Sequence, residues 1–524
     1  MIAPGDPRSL LDADRRARDL EHLAGGAVVD VLVVGGGITG AGVALDAAAR
    51  GLSVALVERG DLAAGTSRWS SKLVHGGLRY LVSGQVGVAA ESTRERGLLA
   101  TTIAPHLIRP LPFVTPLGAA GMGRAMGAAA ASAQLGADAL RRSAGTPASL
   151  FPAPRRAEVA EVRRLVPGAR SAGLRGGLVN WDGQLEDDAR LVVAVARTAA
   201  AHGARILTRC TALDVGAGGA RVRDLASGTD LDVRARHVVN ATGVWADQLD
   251  PSVHLRPSRG THVVLPASAL GHPAAALAVP VPGHLGRVLF ALPQPDGLVL
   301  LGLTDEPADD PDLDARATDA EVDFLLETFS EGLDRPLGRA DVVGTFAGLR
   351  PLLAPGSQGT PGSSGSPGAD ATADLSRRHA VISHGPVITV TGGKLTTYRR
   401  MAQDVVDLLT DVPCSTHRLP LVGAGALDRT GVAALPARLI RRFGTEAPAV
   451  AALAGGDPAL LGPVVAGVPA LGVEVLWAVR AEAALAADDV LDGRLRLDLV
   501  PAWRAAAAGR VADLVPAVPA VGAR

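Results

Sequence analysis

The first strong pattern in the chain is an apolar run, a glycine turn, a helical segment and a second apolar run. Residues 30–34 (DVLVV) form a short apolar run typical of a buried parallel strand. The glycine-rich hexapeptide at 35–40 (GGGITG) follows at once, and residues 41–50 have helical composition. A second apolar run at 53–57 ends at Glu58. Strand, turn, helix and strand within about thirty residues predict the first half of a dinucleotide-binding fold.

Farther along the chain, the pattern predicts a strand-rich second domain and a helical C-terminal region. Residues 204–215 and 220–240 look like strands with Gly-rich turns, and residues 259–305 hold further runs that suit an antiparallel sheet. The Gly/Ala-rich residues 117–148 predict loosely packed helices or a surface excursion. The other expected elements are a charged lead-in at 1–28 with a helix at 10–23, a helix at 190–201, a flexible Gly/Ser/Pro-rich loop at 354–375, a strand at 387–390, a helix at 395–409 and helical periodicity over 411–524.

Composition narrows the class of protein. Of the 524 residues, 48% are hydrophobic and 20% are charged, which is typical of a globular chain. The 52 basic residues balance 53 acidic ones and only 3% are aromatic, so neither charge nor stacking side chains favour nucleic-acid binding. Cys210 and Cys414 are too few for a disulfide scaffold or a thiolate metal site, and no His or Cys spacing indicates a metal. The sequence predicts neither a signal peptide nor a membrane span.

The glycine turn and the acid that follows it explain how a dinucleotide would bind. Gly35 permits the tight turn, Gly37 lets a pyrophosphate approach the backbone, and Gly40 lets the helix pack on the strand. The N–H groups and the dipole of the helix N-terminus would bind the phosphates. Glu58, 18 residues after Gly40, is placed to accept both ribose hydroxyls. The alternative is an accidental Gly-rich turn. The position near the N-terminus favours FAD over NAD modestly.

The segment after Glu58 carries a more specific signal. The tripeptide at 65–67 (GTS) and the run at 70–81 (SSKLVHGGLRYL) resemble the hallmark of the FAD-dependent glycerol-3-phosphate dehydrogenase family. Further similar motifs follow in the family's order, at 104–111, 181–191, 239–245, 259–262, 303–305, 348–352 and 392–399. At 181–191 the match is looser, because Trp181 replaces a tyrosine and the spacing is one residue longer.

The resemblance implies an α/β fold. A Rossmann-like FAD-binding domain of the glutathione-reductase/D-amino-acid-oxidase type would be interleaved with an antiparallel-sheet substrate domain, and a C-terminal helical domain would follow. The expected boundaries are a lead-in at 1–28, an oxidoreductase region at 29–410 with FAD-binding parts at about 29–85, 150–258 and 376–410, a substrate domain at about 86–149 and 259–353, the loop at 354–375, and the helical domain at 411–524.

The resemblance also implies site residues. Arg350 would bind a substrate phosphate, which suits the forked guanidinium, and Arg79 and Tyr80 would add donors. Lys394 or His262 would polarise or deprotonate the substrate hydroxyl, and the sequence leaves that choice open. Substrate-binding residues are expected to be Arg79, Tyr80, Arg350, Arg377 and Lys394, and catalytic residues Arg350, Lys394 and His262. The expected FAD-binding residues are Gly35, Gly37, Gly40, Glu58, Thr66, Ser67, Ser71, Lys72, Leu73, His75, Gly76, Gly77, Gly243, Gly393, Lys394, Leu395 and Thr396.

Structural roles compete with several of these assignments. Arg350 could be an ion-pair partner, His262 a satisfied structural histidine, and Lys394 or Arg79 a surface charge. After Arg377 the family's acid is replaced by Arg378, which loosens the match there.

The function implied is oxidation of sn-glycerol 3-phosphate to dihydroxyacetone phosphate by hydride transfer to FAD, with the electrons passed to a membrane quinone. This would place the protein in the cytoplasm, peripherally associated with the inner face of the cell membrane. The Ala/Met segment at 118–142, with its interspersed arginines, is a candidate membrane contact, and an ordinary packed helix is the alternative. A homodimer is one arrangement left open. Competing functions are an oxidase that uses O₂, another flavin oxidoreductase of the amine- and hydroxy-acid-oxidising superfamily, and a flavin-binding protein without turnover.

Overall fold

The computed structural model describes residues 2–82, 84–118, 124–281, 287–308, 311, 315–354, 379–384 and 387–515. Its strands are β1 (Val28–Val34), β2 (Val54–Glu58), β3 (Leu73–Val74), β4 (Ile108–Gly118), β5 (Arg155–Ala157), β6 (Leu174–Leu185), β7 (Arg205–Thr208), β8 (Cys210–Gly216), β9 (Gly219–Asp224), β10 (Asp230–Asn240), β11 (Ser258–Pro266), β12 (Ala276–Pro280), β13 (Val288–Pro293), β14 (Leu298–Gly302), β15 (Glu306–Pro307), β16 (Gly344–Arg350), β17 (His379–His384) and β18 (Val387–Gly392).

The α-helices are α1 (Ala13–Ala24), α2 (Ile38–Ala49), α3 (Leu78–Val82), α4 (Val86–Leu98), α5 (Arg124–Ser143), α6 (Val159–Leu165), α7 (Asp188–Ala201), α8 (Ala246–Leu249), α9 (Asp319–Glu331), α10 (Tyr398–Val406), α11 (Arg429–Val432), α12 (Ala437–Phe443), α13 (Ala447–Ala452), α14 (Gly472–Ala481) and α15 (Pro501–Leu514). Short 3₁₀ and π-helical turns connect several of them, including a π-helical turn at Asp489–Arg494.

The first sheet forms the Rossmann-like part of the fold. Its strand order is β17-β18-β10-β1-β2-β7, and the pairs β18–β10, β10–β1, β1–β2 and β2–β7 are parallel. Helices α2, α7 and α10 pack together against this sheet around a core made mainly of Ala, Val and Leu. The chain therefore compensates for its few aromatic residues with many small, closely packed side chains.

The second sheet is almost entirely antiparallel. Its order is β15-β11-β14-β13-β12-β4-β6-β3, with β16 paired to β11 and β5 paired to β6. The expectation that residues 150–258 belong to the FAD-binding part is wrong for β5 and β6. Strand β6 pairs with β4 over most of its length, so residues 155–157 and 174–185 lie in the second sheet.

Several element boundaries differ from the sequence expectation for local reasons. The helix expected at 10–23 is instead a 3₁₀ turn at Pro7–Ser9 followed by α1, which starts where the Asp12 side chain accepts a hydrogen bond from the Arg15 N–H (2.7 Å). The helix expected at 395–409 begins as a 3₁₀ turn, Leu395–Thr397, before α10. Helix α2 starts inside the glycine hexapeptide, with Gly37 as its N-cap.

Two sequence expectations fall partly or wholly outside the described residues. From residue 355 onward, the expected flexible loop at 354–375 lies outside the described residues, and Arg377 lies outside them too.

The segment expected at 117–148 contains α5, which packs beside α3 and α4. Helices α11 to α15 follow residue 411.

The close contact between β1 and α2 generates a testable prediction. A Cβ on Gly40 would lie 1.9 Å from the Gly35 carbonyl oxygen, and backbone cannot move aside easily. We expect Gly40→Ala to lower the free energy of unfolding by about 1–3 kcal/mol through overpacking. The measurement is urea unfolding followed by circular dichroism.

The matched control is Gly509→Ala in α15, where a Cβ would meet nothing within 4 Å. Gly509→Ala should instead raise the free energy of unfolding by about 0.5–1 kcal/mol, because glycine inside a helix is less favourable than alanine. Equal effects of the two substitutions would contradict the proposed close contact.

Candidate active site

One large cavity lies where the carboxyl ends of the parallel strands face the second sheet. Its volume is about 1520 Å³, above the range of about 300–1,000 Å³ usual for a single small ligand. Val34, Glu58 and Ala241, at or just beyond the ends of β1, β2 and β10, line one part of it. Phe113 and Phe290, from β4 and β13, line another part. The cavity therefore has room for a dinucleotide together with a second molecule.

The glycine turn forms the wall of this cavity at the start of α2. Gly35 has a positive φ of 112°, and a Cβ there would lie 2.6 Å from the Ala241 carbonyl oxygen. Gly37 lines the cavity, and the Ser67 hydroxyl accepts a hydrogen bond from the Ile38 N–H (2.9 Å). The turn thus places the N-terminus of α2 and its first N–H groups at the cavity wall.

Glu58 lies at the end of β2 and also lines the cavity. Its two carboxylate oxygens accept hydrogen bonds from the N–H groups of Gly36 (2.6 Å) and Gly60 (2.7 Å). Burial raises the pKa of this carboxyl, although the two backbone donors oppose the shift. These bonds fix the carboxylate as an acceptor beside the glycine turn.

A second backbone approach forms where β18 ends. Gly392 and Gly393 both have positive φ, 76° and 73°, and a Cβ on Gly393 would lie 2.5 Å from the Met401 sulfur. The chain then continues through Lys394 and the 3₁₀ turn, and residues 392–396 all line the cavity. The observed turn therefore brings backbone, a lysine and a hydroxyl residue together at one wall.

Arg350 lies at the end of β16, and it also lines the cavity. Its guanidinium donates hydrogen bonds to the Ser258 hydroxyl (3.0 Å) and the Thr304 carbonyl oxygen (3.1 Å), and it forms an ion pair with Asp305 (3.3 Å). A Cβ on Gly260 would lie 2.1 Å from Nη2 of Arg350. Glycine at 260 thus leaves room for the guanidinium.

Lys394 and Tyr80 form a second group on the cavity wall. The Lys394 ammonium donates a hydrogen bond to the Ser92 hydroxyl (2.9 Å) and lies 3.5 Å from the centroid of the Tyr80 ring. The His75 ring stacks on the Tyr80 ring, with a centroid distance of 6.4 Å. A cation is therefore held against an aromatic face at the cavity.

Most of the residues predicted from the sequence meet at this one cavity. Those on its wall are Gly35, Gly37, Glu58, Thr66, Ser67, Ser71, Leu73, His75, Tyr80, Gly243, Arg350, Gly393, Lys394, Leu395 and Thr396. Arg79 lies in α3, but its side chain is outside the described part of the structure, as is Arg377 entirely.

The structure places His262 behind the cavity wall, and its contact with substrate stays a prediction. Its side chain is 0% exposed and is not part of the cavity wall. Nε2 is hydrogen-bonded to the Ser71 hydroxyl (2.9 Å), and the ring stacks on Phe346 at 4.6 Å. His262 therefore lies behind a lining residue, because its position on β11 turns the side chain into the core.

Lys72, Gly40, Gly76 and Gly77 are also absent from the wall of the cavity. The Lys72 ammonium is buried in an ion pair with Asp188 (2.8 Å), so its charge is already neutralised inside the protein. Gly76 donates its N–H to Asp182 (3.0 Å) and lies against the Arg96 guanidinium. Lys72 and Gly76 thus hold the 70–81 segment in place, and direct contact of these four residues with the cofactor stays a prediction.

The structure adds residues that sequence reasoning missed. Asp182 lines the cavity and pairs with Arg96 (2.7 Å); its place in the 181–184 motif was the available signal. Gln134 of α5 donates to Asn180 (3.0 Å), and both line the cavity. The other missed lining residues include Arg68, Trp69, Arg209, Asp488, Asp489 and Asp492. The three aspartates lie in the C-terminal region, where no local pattern indicated a site.

Comparison with known proteins identifies the family. The family model for FAD-dependent oxidoreductases matches residues 30–399, and the model for the C-terminal domain of alpha-glycerophosphate oxidase matches residues 414–518. Glycerol-3-phosphate dehydrogenase 1 of Mycobacterium tuberculosis is 49% identical over 503 residues, covering 94% of this chain and 95% of that protein. The chain belongs to the FAD-dependent glycerol-3-phosphate dehydrogenase family. This result confirms the resemblance seen in the motifs.

Two further relatives extend the comparison. The mitochondrial glycerol-3-phosphate dehydrogenase SDP6 of Arabidopsis thaliana is 34% identical and covers 83% of this chain and 71% of that protein. The crystal structure of the glycerol-3-phosphate dehydrogenase from Bacillus halodurans complexed with FAD superimposes with a TM-score of 0.72 at 25% identity. It covers 97% of this chain and 95% of that one. The expected fold class, FAD as cofactor and assignment as an FAD-dependent oxidoreductase are thus confirmed.

The cavity fits FAD by its donors and by its shape. The N-terminus of α2 offers N–H groups to a pyrophosphate, and Glu58 offers a carboxylate to ribose hydroxyls. Gly35 and Gly37 let a pyrophosphate approach the backbone, and Gly243, Gly392 and Gly393 line other parts of the cavity, where they leave room for a flat ring system. Residues 392–396 and the 66–73 segment would hold the flavin end.

Among the described residues, no helix combines the length and apolarity needed to cross a bilayer. The same part of the chain contains no group of three or more His, Cys, Asp or Glu side chains that could hold a metal ion.

The burial of His262 generates a prediction about pH. Burial, followed by the charges of Arg350 and Lys72, lowers its pKa from 6.5 to about 3. Between these two values the unfolded chain binds a proton at this imidazole and the native protein does not. The native state therefore loses stability as the pH falls through this window. We expect His262→Gln to reduce the loss of unfolding free energy between pH 7 and pH 4, measured by urea titrations.

Parallel pH curves for the variant and the parent protein would contradict this placement of His262. His106→Gln serves as a second test, because burial also lowers the pKa of His106 to about 3. Its pH effect should have the same sign.

Proposed function

We propose that this protein oxidises sn-glycerol 3-phosphate to dihydroxyacetone phosphate. The observation that carries the proposal is that Arg350 and Lys394 line the same cavity as the dinucleotide-binding turn at 35–40. A phosphate anchor and a base candidate beside a flavin site are the groups that oxidation of a phosphorylated secondary alcohol requires. The relatives' names, glycerol-3-phosphate dehydrogenase, agree with this substrate.

Arg350 binds the substrate phosphate in this proposal. Its contacts with Ser258, Asp305 and the Thr304 carbonyl hold the guanidinium in one orientation at the cavity wall. A planar guanidinium held in this way can donate two parallel hydrogen bonds to phosphate oxygens. Tyr80 adds a hydroxyl, and Arg79 and Arg377 remain predicted contributors to the same phosphate site.

Lys394 is the proposed base for the proton of the substrate hydroxyl. Of the two base candidates, only Lys394 lines the cavity, since His262 is buried behind Ser71. Lys394 would act as its neutral amine: Nζ takes the hydroxyl proton, and the ammonium that results is the form that the Ser92 hydroxyl and the Tyr80 ring hold. When bound, FAD would supply the hydride acceptor, toward which the protein residues orient the C2–H bond.

Loss of the phosphate anchor should affect substrate binding and spare the cofactor. We expect Arg350→Ala to raise the KM for glycerol 3-phosphate by at least about 100-fold, since a charged hydrogen bond contributes about 1.5–3 kcal/mol and two are lost. The flavin content, read from the visible absorbance of the purified protein, should stay unchanged. Steady-state kinetics with an artificial electron acceptor measures KM.

Arg259→Ala is the matched control. Arg259 is nearby on β11 and forms an ion pair with Glu321 (3.0 Å), yet it does not line the cavity. Its KM should stay within about two-fold of the parent value. An unchanged KM for Arg350→Ala would remove Arg350 from the phosphate site. Failure of the parent protein's flavin absorbance to bleach on anaerobic addition of glycerol 3-phosphate would reject the dehydrogenase proposal itself.

We further propose that a membrane quinone takes the electrons and that α5 provides the contact with the membrane surface. Three alanines of α5, Ala129, Ala130 and Ala133, line the cavity, and Leu135 of the same helix is 63% exposed. Leu78 and Phe290 continue the apolar wall. An apolar acceptor could approach the flavin between these residues from a membrane surface. In this proposal the protein is cytoplasmic and lies at the inner face of the cell membrane.

This acceptor proposal is tested by reoxidation of the reduced enzyme. In stopped-flow mixing we expect a short-chain ubiquinone or menaquinone analogue to reoxidise the flavin at least about ten-fold faster than air-saturated buffer. Faster reoxidation by O₂, with formation of peroxide, would make the protein an oxidase.

The membrane contact is tested separately with vesicles that contain anionic lipids. Leu135→Asp should reduce cosedimentation with the vesicles, while Leu213→Asp, a change at a leucine of β8 that is 42% exposed, should not. Equal binding by both variants would place the contact elsewhere.

The oligomeric state is a separate question. Light scattering of the same protein variants determines whether the protein is a homodimer.

A further inference from the structure

The C-terminal helical region reaches the cofactor cavity through two buried arginines. Arg494 has a side chain that is 1% exposed, and its guanidinium donates to both carboxylate oxygens of Asp61 (2.6 and 2.7 Å). It also donates to the Glu482 carbonyl oxygen (2.6 and 3.0 Å). Asp61 follows Glu58 by three residues and lines the cavity. Arg494 thus connects the C-terminal region to the segment that carries the expected ribose ligand.

Arg496 holds the next part of the same segment. Its guanidinium donates to the Arg68 carbonyl oxygen (2.8 Å) and to Asp188 (2.8 Å), and it lies 5.2 Å from the centroid of the Trp69 ring. Asp188 in turn accepts hydrogen bonds from the Ser70 N–H (2.9 Å) and hydroxyl (2.8 Å). Arg68, Trp69 and Ser70 line the cavity, so Arg496 fixes the backbone of its wall.

Charge supports the stability of these contacts. Burial opposes ionisation of Asp187, but Arg496 and Lys72 outweigh it and lower the pKa of this carboxyl to about 2. Asp187 and Asp188 are therefore charge partners of Arg496 inside the protein. A buried arginine with carboxylates and a backbone carbonyl as partners has one favourable position, because any other leaves charges unpaired in the interior.

The C-terminal region also contributes directly to the cavity wall. Asp488, Asp489 and Asp492, around the π-helical turn, line the cavity together with Arg209. Asp489 forms an ion pair with Arg209, and its carboxylate accepts hydrogen bonds from the N–H groups of residues 485 and 486 (2.9 and 3.0 Å). The Arg209 N–H donates a hydrogen bond to the Gly60 carbonyl oxygen (3.0 Å), so these residues lie beside Glu58, the expected ribose ligand.

We propose that Arg494 and Arg496 are positioning residues for FAD, which they hold indirectly by fixing residues 61–70, the part of the cavity wall that runs from the nucleotide end toward β16. The C-terminal helical domain is then a structural part of the cofactor site. This inference rests on FAD as the cofactor of the family and is independent of the substrate and of the electron acceptor. A loosened 61–70 segment would release FAD faster, while the Arg350 and Lys394 contacts would remain as they are.

The test compares Arg494→Met and Arg496→Met with Arg197→Met in the holoenzyme. Arg197 is as deeply buried, with a side chain that is 1% exposed, and it pairs with Glu446 of the C-terminal region (2.6 Å). Neither Arg197 nor Glu446 lines the cavity. The control therefore removes a comparable buried ion pair between the same two regions, away from residues 61–70.

The readout is the rate of FAD release, followed by the rise in flavin fluorescence after dilution. We expect release at least about ten-fold faster in Arg494→Met and in Arg496→Met, and within about two-fold of the parent rate in Arg197→Met. The melting temperature of the apoprotein should fall for all three variants. At saturating FAD, the KM for glycerol 3-phosphate should stay within about two-fold of the parent value.

The conservative variants Arg494→Lys and Arg496→Lys decide the outcome if the Met variants fail to fold. Lysine keeps the charge but cannot make both parallel hydrogen bonds, so FAD release should still accelerate by about three-fold or more. Parent-like release from folded Arg494 and Arg496 variants would overturn the proposal. So would equal acceleration in Arg197→Met, because the effect would then be general destabilisation.

Discussion

The structure depends on the close approach of two backbone segments where β1 passes into α2. Gly40 lies so near the Gly35 carbonyl that no side chain fits between them, and Gly35 itself lies against the Ala241 backbone. This contact directs the N-terminus of α2 toward the carboxyl edge of the parallel sheet. Glu58 and Ser67 then hydrogen-bond to N–H groups of the same turn. The cofactor site is arranged around that single glycine-dependent crossing.

Buried ion pairs organise the rest of the cavity. The net charge of −1 is the sum of 52 basic and 53 acidic residues, and a number of these charges are paired inside the protein. Lys72 with Asp188, Arg96 with Asp182 and Arg494 with Asp61 are examples that hold loop segments at the cavity wall. Such pairs add little net stability, because desolvation offsets much of their attraction, but each pair strongly favours one loop position.

Much of the fold and of the candidate site could be predicted from local patterns. The strand, glycine turn, helix and following acid are adjacent in the chain, so Gly37 and Glu58 could be assigned directly. Motif resemblance added Arg350 and Lys394, which do line the cavity. The assignment of β6 was wrong because strand pairing is non-local: its partner β4 precedes it by more than fifty residues.

The sequence by itself determined the local conformations and the class of cofactor, because glycine spacing and apolar runs act over a few residues. Only the tertiary structure decided which side of each segment faces the cavity. Ser71 lines it whereas the neighbouring Lys72 and the motif residue His262 point into the interior. It also brought Arg494 to Asp61 across 433 positions of sequence. That contact depends on how whole helices pack on the sheet, and packing over such separations leaves no local pattern in the chain.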